Sequence, residues 1–171
     1  MPQQPAEGAA RPAGPEAGLS PALLSVVSGA RRRAVRDGDR QIDTAHLLHS
    51  LLESDPEVPG LVADGTQVVR LLGYLVQRSI GYGLRWQTSV EDSGSVPAVA
   101  DPGWSPAAAT AMERAVEAAG RRGEPLAEGV DLLAALLGDP ECRAVEVLER
   151  AGVSVPEVEL RVAAHHAARE R

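Results

Sequence analysis

Residues 20–53 read SPALLSVVSGARRRAVRDGDRQIDTAHLLHSLLE, and residues 105–137 give the same pattern as SPAAATAMERAVEAAGRRGEPLAEGVDLLAALL. Each stretch opens with a Ser-Pro pair, which is typical of a helix N-cap followed by proline at the first helical position. Apolar residues then recur on one helical face, a glycine ends the helix, and a Leu-rich second helix follows. The register holds without a gap from the match of Ser20 with Ser105 to that of Gly38 with Gly123. Because chance would rarely match the caps as well as the leucines, the sequence indicates an internal duplication.

Each copy predicts two more helices after this pair. In the first copy they contain Leu61-Val62 and the apolar residues of 68–76, and in the second copy Val147-Leu148 and residues 154–168. Each copy has too few large apolar residues for a core of its own, so we expect both to pack together. The predicted fold is all-α, with eight helices in two pseudo-twofold-related four-helix repeats. The predicted organisation is a disordered leader at 1–18, repeat 1 at 19–79, a linker or loop at 80–103 and repeat 2 at 104–168.

The composition supports helices and excludes several kinds of partner. The chain is 44% hydrophobic yet lacks Phe, so Leu, Val and Ala must fill the core. A net charge of -7 disfavours nucleic acid and anionic membranes as partners. The single cysteine, Cys142, excludes an internal disulfide, and no apolar run is long enough to span a bilayer, so we expect a cytoplasmic protein. All 17 basic residues are Arg, which is typical of a GC-rich bacterial genome.

The repeated pattern resembles the Clp N-terminal domain, the double-repeat domain at the front of the ClpA, ClpB and ClpC unfoldase chaperones. The resemblance covers about residues 19–79 and 104–165, and the first copy is the closer match. It implies an eight-helix fold that docks adaptors, substrates or peptides for an ATPase. The chain has no Lys and therefore no standard phosphate-binding loop. We therefore expect a stand-alone Clp N-domain-like protein that is not an enzyme and uses no cofactor.

The resemblance also bears on phosphoarginine. Some ClpC-type N-domains carry the pattern G-T-E-H-[IL]-L in each repeat, where the Glu receives the guanidinium. This sequence has Ala45 and Val130 at the two Glu positions. Without the carboxylate, a charge-assisted pair worth roughly 1.5–3 kcal/mol is lost. Phosphoarginine recognition is therefore not predicted.

An acid recurs two residues before each of these positions, as Asp43 and Glu128. One interpretation is a displaced carboxylate that still binds a partner. The other, which we favour, is an acid at a helix N-terminus, satisfied by free backbone N–H groups. Both residues are kept as candidate partner-binding residues.

Trp104 directly precedes the second Ser-Pro cap, and Leu19 precedes the first. An apolar residue at this position often packs against the helix start as a hydrophobic staple. In ClpC-type N-domains, the resemblance implies instead that the aromatic before the second cap, together with an acid matching Glu113, lies on a surface that binds cyclic peptide antibiotics. Staple and peptide anchor are equally compatible with the sequence. The candidate partner-binding residues are therefore Trp104, Glu113, Leu19, Asp43 and Glu128.

Other patterns have weaker support. His46 and His49 have a spacing that a metal can use, but no further ligands complete a set, so no metal site is predicted. The basic cluster from Arg31 to Arg40 is interpreted as a solvated face or a seat for an acidic partner. Cys142 is interpreted as a structural thiol.

Together these observations predict a non-catalytic binding module for a peptide, a cyclic peptide or a protein partner, with a role as adaptor or decoy for a Clp chaperone. The alternative is a regulatory or structural interaction protein whose Clp-like fold serves an unrelated partner through the Arg31–Arg40 cluster.

Overall fold

The computed structural model describes residues 14–80 and 103–170. Within these residues the chain forms the eight predicted helices, so the all-α fold is confirmed. The helices are α1 Pro21–Asp37, α2 Thr44–Ser54, α3 Val58–Val62, α4 Gly65–Ile80, α5 Pro106–Arg121, α6 Gly129–Leu137, α7 Arg143–Arg150 and α8 Val155–Arg169. Two strands of two residues each accompany them, β1 Gln41–Ile42 and β2 Gly103–Trp104.

The first helix of each repeat begins as the Ser-Pro pairs predict. The Ser20 hydroxyl accepts the backbone N–H of Leu23 at 3.1 Å, and the Ser105 hydroxyl accepts that of Ala108 at the same distance. Helix α1 ends at Asp37 and is capped by Gly38, whose φ of 69° lies in the left-handed region that favours glycine. The local chemistry of the caps therefore sets the helix boundaries.

The two repeats exchange short backbone pairings. Strand β1 pairs in parallel with β2, so that Ile42 lies opposite Trp104, and Leu19 forms a parallel bridge with Ala127. These two pairings are equivalent when the copies are aligned, since Leu19 corresponds to Trp104 and Ile42 to Ala127. In each repeat, the residue that precedes the first helix thus pairs with a residue that precedes the second helix of the other repeat.

One aliphatic core spans both repeats. Helices α2 and α6 contact each other and supply many of its largest fully buried side chains, including Leu47, Leu51, Leu132 and Leu136. Cys142 is also buried, with its Sγ 3.4 Å from the Leu136 carbonyl oxygen, which agrees with a structural thiol. None of the described helices is long and apolar enough to cross a membrane.

A buried ion pair joins the repeats through Asp43. Its carboxylate accepts the backbone N–H of His46 at 3.0 Å and a guanidinium N–H of Arg143, at the start of α7, at 2.9 Å. Asp43 is 1% exposed and Arg143 is 7% exposed. Beside them, the Thr44 hydroxyl accepts the backbone N–H of Ala144 at 3.1 Å. The second helix of repeat 1 is therefore fixed to the third helix of repeat 2.

In repeat 2, the residue equivalent to Thr44 is a glycine, and there is no space for a side chain at this position. Gly129 corresponds to Thr44, and a Cβ added to Gly129 would lie 2.8 Å from Cγ of Asp55. Asp55 cannot turn away freely, because its carboxylate accepts the backbone N–H groups of Glu57 and Val58 at the start of α3. Residue 129 must therefore lack a side chain for α3 and α6 to approach.

The fold includes part of the predicted leader. Residues Gly14–Glu16 form a 3-10 turn that contacts α5, and the Ala127 N–H donates to the Gly18 carbonyl at 2.9 Å. These contacts fix residues 14–18 to repeat 2. The rest of the predicted leader and nearly all of the predicted linker lie outside the described residues.

We predict opposite effects for two glycine-to-alanine changes. Gly129→Ala forces the Asp55 carboxylate off the start of α3 and should lower the free energy of unfolding by about 1–3 kcal/mol. Gly120→Ala, on α5, meets no atom within 4 Å and should raise it by roughly 0.5–1 kcal/mol, because alanine loses less backbone entropy on folding. Urea unfolding followed by circular dichroism measures both. Equal and small effects would contradict the close approach at Gly129.

We also predict that Arg143→Met destabilises the fold by about 3–5 kcal/mol, because it leaves the Asp43 carboxylate buried without its cation. Adding Asp43→Asn should recover part of the loss, since no uncompensated charge then remains. A control is Arg150→Met, which removes a partly exposed pair with Glu146 at 3.3 Å and should cost less than the loss of Arg143, about 1 kcal/mol. Chemical unfolding of these variants and of Asp43→Asn alone provides the measurement, and strictly additive losses would argue against the pair.

Candidate functional site

Trp104 lies at the surface but is anchored to the core. Its backbone pairs with Ile42, and the next residue, Ser105, donates its N–H to the Ile42 carbonyl at 3.0 Å. The side chain is partly buried and packs against the aliphatic core. One part of the indole therefore contacts the core, as a staple does, and another part is accessible, as an anchor requires.

A cation lies over the Trp104 ring. The Arg31 guanidinium carbon lies 5.5 Å from the centroid of the Trp104 ring, a distance at which a cation is attracted to the ring face. Glu16, in the 3-10 turn, forms an ion pair with the same guanidinium. The side chain of Arg31 remains 50% exposed. Glu16, Arg31 and Trp104 thus form a continuous surface at the junction of the two repeats, which we call the indole platform.

Leu19, the counterpart of Trp104, is only 4% exposed and belongs to the core. Val116 stands where the first copy has Arg31, and its methyl groups pack so closely on Gly18 that a Cβ added there would lie 2.9 Å from one of them. The start of repeat 1 beside Leu19 is therefore covered by an apolar contact, whereas the equivalent residue of repeat 2, Trp104, is covered by a cation. The structure corrects the prediction that Leu19 faces a partner.

Glu113 is exposed on α5, the helix that Trp104 precedes. It lies about two helical turns beyond the cap Ser105, which corresponds to roughly 12 Å along the helix axis. No ion pair of Glu113 is found within the described part of the chain. It is therefore available to a partner that extends from Trp104 along α5.

Asp43 and Glu128 both stand at helix N-caps. Asp43 is held inside the fold by Arg143 and the start of α2, so it does not reach the surface, which corrects its place among the partner-binding candidates. Glu128 is half-buried and accepts the Ser20 hydroxyl at 2.9 Å. It lines a cleft of about 290 Å³ whose other walls include Arg122, Glu124, Leu126, Asp131, His166 and Arg169.

Inside this cleft, Asp131 is 2% exposed and contacts two basic side chains. It forms an ion pair with Arg122, and His166 Nε2 lies 3.2 Å from the same carboxylate oxygen. Burial and the nearby Arg122 guanidinium lower the pKa of His166, so the imidazole is neutral at pH 7. Arg122, Asp131 and His166 are thus occupied with one another.

The two positions where the ClpC-type pattern has Glu lie in the core. Ala45 is fully buried and Val130 is 2% exposed. The chain therefore presents no carboxylate at either position to receive a guanidinium.

His46 and Asp131 occupy equivalent positions of the two copies and perform the same structural task. His46 Nδ1 accepts the backbone N–H of Asp43 at 2.9 Å, and the Asp131 carboxylate accepts that of Glu128 at 2.9 Å. With Nδ1 accepting this N–H, the ring proton available for donation lies on Nε2. Nε2 is 2.7 Å from Asp39 Oδ2.

This arrangement bears on metal binding. Asp37, Asp39 and His46 bring three potential ligand atoms within 4.8 Å of one another, a grouping that was not predicted from the sequence. A metal at Nε2 would displace the proton and leave a ring whose Nδ1 has no proton to donate, the reverse of the usual second-shell pattern. The hydrogen bonds therefore support helix capping. His49 points elsewhere, with Nε2 2.8 Å from Glu53.

The indole platform could not be predicted from local sequence. Arg31 was interpreted as part of a solvated basic cluster, and Trp104 lies far along the chain from it, in the other repeat. Only the exchanged pairing of β1 with β2 brings them together. The nearest sequence signal is the contrast between Arg31 and Val116 at equivalent positions of the two copies.

We predict that His49 makes the fold sensitive to acid. Burial, and then the nearby Arg33, lower the pKa of His49 from 6.5 to about 4. The unfolded chain therefore binds a proton first, and stability present above pH 6.5 is lost as the pH falls towards 4. The loss should be on the order of 2–3 kcal/mol, and it should be absent in His49→Gln.

Urea unfolding of the parent protein and of His49→Gln between pH 7 and pH 4 gives the free energy of unfolding of each. The difference between the two pH profiles isolates His49, because both proteins contain the same carboxylates. His166→Gln, at a more exposed site, is the control and should change the profile less. Parallel profiles for the parent and His49→Gln would contradict the assignment.

Comparisons with known proteins support the fold. The sequence matches no protein-family model and no curated protein. Among solved structures, the N-terminal domain of the caseinolytic protease associated chaperone ClpD from Arabidopsis thaliana is similar, with 18% identity and a TM-score of 0.68, over 88% of this chain and 95% of that chain. The Hsp104 N-terminal domain from Candida albicans matches with 16% identity and a TM-score of 0.58, over 84% and 88%.

A third similar structure comes from preliminary structural investigations of a malarial protein secretion system. It has 13% identity and a TM-score of 0.62, and the match covers 86% of this chain and 94% of that chain. In all three cases the similarity spans both repeats and not a single helix pair. The chain therefore has the fold of a Clp N-terminal domain.

Proposed function

We propose that the chain is a non-catalytic binding module that docks a peptide or protein segment on the indole platform, with Trp104 as the anchor. The observation that carries the proposal is that the Trp104 side chain is only partly buried while it packs against the core. A preordered aromatic side chain loses little entropy on binding, and such residues dominate the energetics of many interfaces.

The charges around the anchor favour a mixed apolar and polar ligand. Arg31 supplies a half-exposed cation that is paired with Glu16, and Glu113 supplies an acid further along α5. An apolar ligand group can replace Arg31 over the indole while polar groups of the ligand meet Arg31 and Glu113. A cyclic peptide fits this description, because its ring is preorganised and presents side chains at fixed spacing.

The comparisons give the proposal its context. One of the similar structures is, by its name, part of a protease-associated chaperone. A chain of this fold would bind the same kind of segment on the indole platform. It would serve as an adaptor that delivers a partner to a Clp chaperone, or as a decoy that captures a cyclic peptide antibiotic aimed at one.

The test is calorimetric titration of the purified protein with a cyclic peptide antibiotic that binds ClpC-type N-domains, followed by competition with a ClpC N-domain. We expect a saturable heat and a competitive shift. Trp104→Leu should weaken binding at least tenfold, because it removes the aromatic anchor. It should leave the melting temperature nearly unchanged, because leucine already fills the equivalent position 19 in the first copy.

Glu113→Gln should weaken binding less than Trp104→Leu, since the acid is exposed to solvent before binding. The proposal fails if the parent protein gives neither heat nor competition. It also fails if Trp104→Leu binds as tightly as the parent protein.

A further inference from the structure

We propose that the groove between α1 and α2 is a second docking surface, and that it binds an acidic protein segment through Arg32 and Arg36. The groove has a volume of about 370 Å³ and is lined by Gly29, Arg32, Arg33, Arg36, Glu53 and Ser54, together with Ser50. This inference does not rest on the indole platform, since neither Trp104 nor Arg31 lines the groove.

The floor of the groove is formed where the two helices approach most closely. A Cβ added to Gly29 would lie 2.6 Å from Oγ of Ser50, whose hydroxyl donates to the Val26 carbonyl. The same added Cβ would lie 3.7 Å from a guanidinium nitrogen of Arg32. The Arg32 guanidinium is therefore positioned over the floor and does not extend away from it.

The cations of the groove are unequally engaged. Arg33 donates to both carboxylate oxygens of Glu53 at 2.8 Å, so this pair is neutral and closes one wall. Arg36 pairs with its neighbour Asp37 at 3.6 Å, and its side chain is 65% exposed. For Arg32 no ion pair is found within residues 14–80 and 103–170. Arg32 and Arg36 are therefore the cations that a partner can engage.

The equivalent groove in repeat 2 does not share this excess. It lies between α5 and α6 and has Glu117 where repeat 1 has Arg32, and Ala118 where it has Arg33. Its charged lining residues are two arginines, Arg114 and Arg121, and two acids, Glu117 and Asp131. Because both grooves are built on the same helix pair, the positive charge belongs to the side chains of repeat 1 and not to the fold.

The chemistry favours an acidic peptide. Arg32 and Arg36 are one helical turn apart, so their side chains are spaced about 6 Å apart and match carboxylates at i and i+4 on a helix or i and i+2 on a strand. Guanidinium groups pair with carboxylates in a bidentate geometry. Nucleic acid is disfavoured because no aromatic residue lines this groove for base stacking.

The experiment uses a short fluorescein-labelled peptide with two Glu-Glu pairs set one helical turn apart, and its Gln twin. Fluorescence anisotropy measures binding to the full chain, to Arg32→Gln/Arg36→Gln and to the matched control Arg114→Gln/Arg121→Gln. All four arginines are at the surface, and thermal melts verify that the variants fold.

We expect saturable binding of the Glu peptide, weakened roughly tenfold by Arg32→Gln/Arg36→Gln, a change of about 1.4 kcal/mol. The control variant should change the affinity less than twofold, as should Trp104→Leu, which separates this surface from the indole platform. The Gln twin should not bind measurably.

Three results would overturn the proposal. The first is no saturable binding of the Glu peptide to the parent protein. The second is an equal loss in the two arginine variants, which would indicate attraction to any exposed arginine. The third is tighter binding of a single-stranded oligothymidine than of the Glu peptide, lost in Arg32→Gln/Arg36→Gln, which would assign the groove to nucleic acid.

Discussion

The Asp43 carboxylate lies where three parts of the molecule meet. It caps α2 and accepts a hydrogen bond from the guanidinium of Arg143 in the other repeat. The residue before Asp43 is Ile42, whose backbone pairs with that of Trp104. Removing two charges from water is costly, and the cost is offset only when each charge has its partner at good distance. This requirement fixes the start of α2 relative to α7. Helix α2 also packs against α6, so the ion pair acts together with the shared core and the pairing of Ile42 with Trp104 to hold the two repeats in one arrangement.

Much of the fold could be predicted because its boundaries are encoded locally. The Ser-Pro caps, the left-handed Gly38 and the leucines of α2 and α6 act over a few residues, and the duplication shows that the pattern is not accidental. The cross-repeat contacts could not be predicted. Strands of two residues are too short to show an alternating pattern, and Asp43 meets Arg143 from 100 residues away. For the same reason Leu19 stood among the candidate partner-binding residues, because its pairing with Ala127 of the other repeat leaves no local signal in the sequence.

The two copies preserve one scaffold while their side chains diverge. His46 and Asp131 both accept the N-cap N–H, so an imidazole and a carboxylate are interchangeable there. Thr44 and Gly129 are not, because Asp55 occupies the space that a side chain would need. Repeat 1 has Arg31 and Arg32 at the positions where repeat 2 has Val116 and Glu117. These differences change the surface while the same helix pair is kept. Function on such a fold therefore depends on sites carried by one copy, and likeness of backbone alone does not transfer it.

The exchanged backbone pairings bear on how such a domain could arise. A single repeat would expose unpaired N–H and carbonyl groups at both of its helix entries, and its aliphatic face would remain in water. Two separate copies related by a twofold axis would complete each other, as an isologous dimer does. Joining them in one polypeptide replaces an association whose extent depends on protein concentration by a folding reaction that does not. Within one polypeptide the two halves need not be identical, and here a tryptophan stands at the position where the other copy has a leucine.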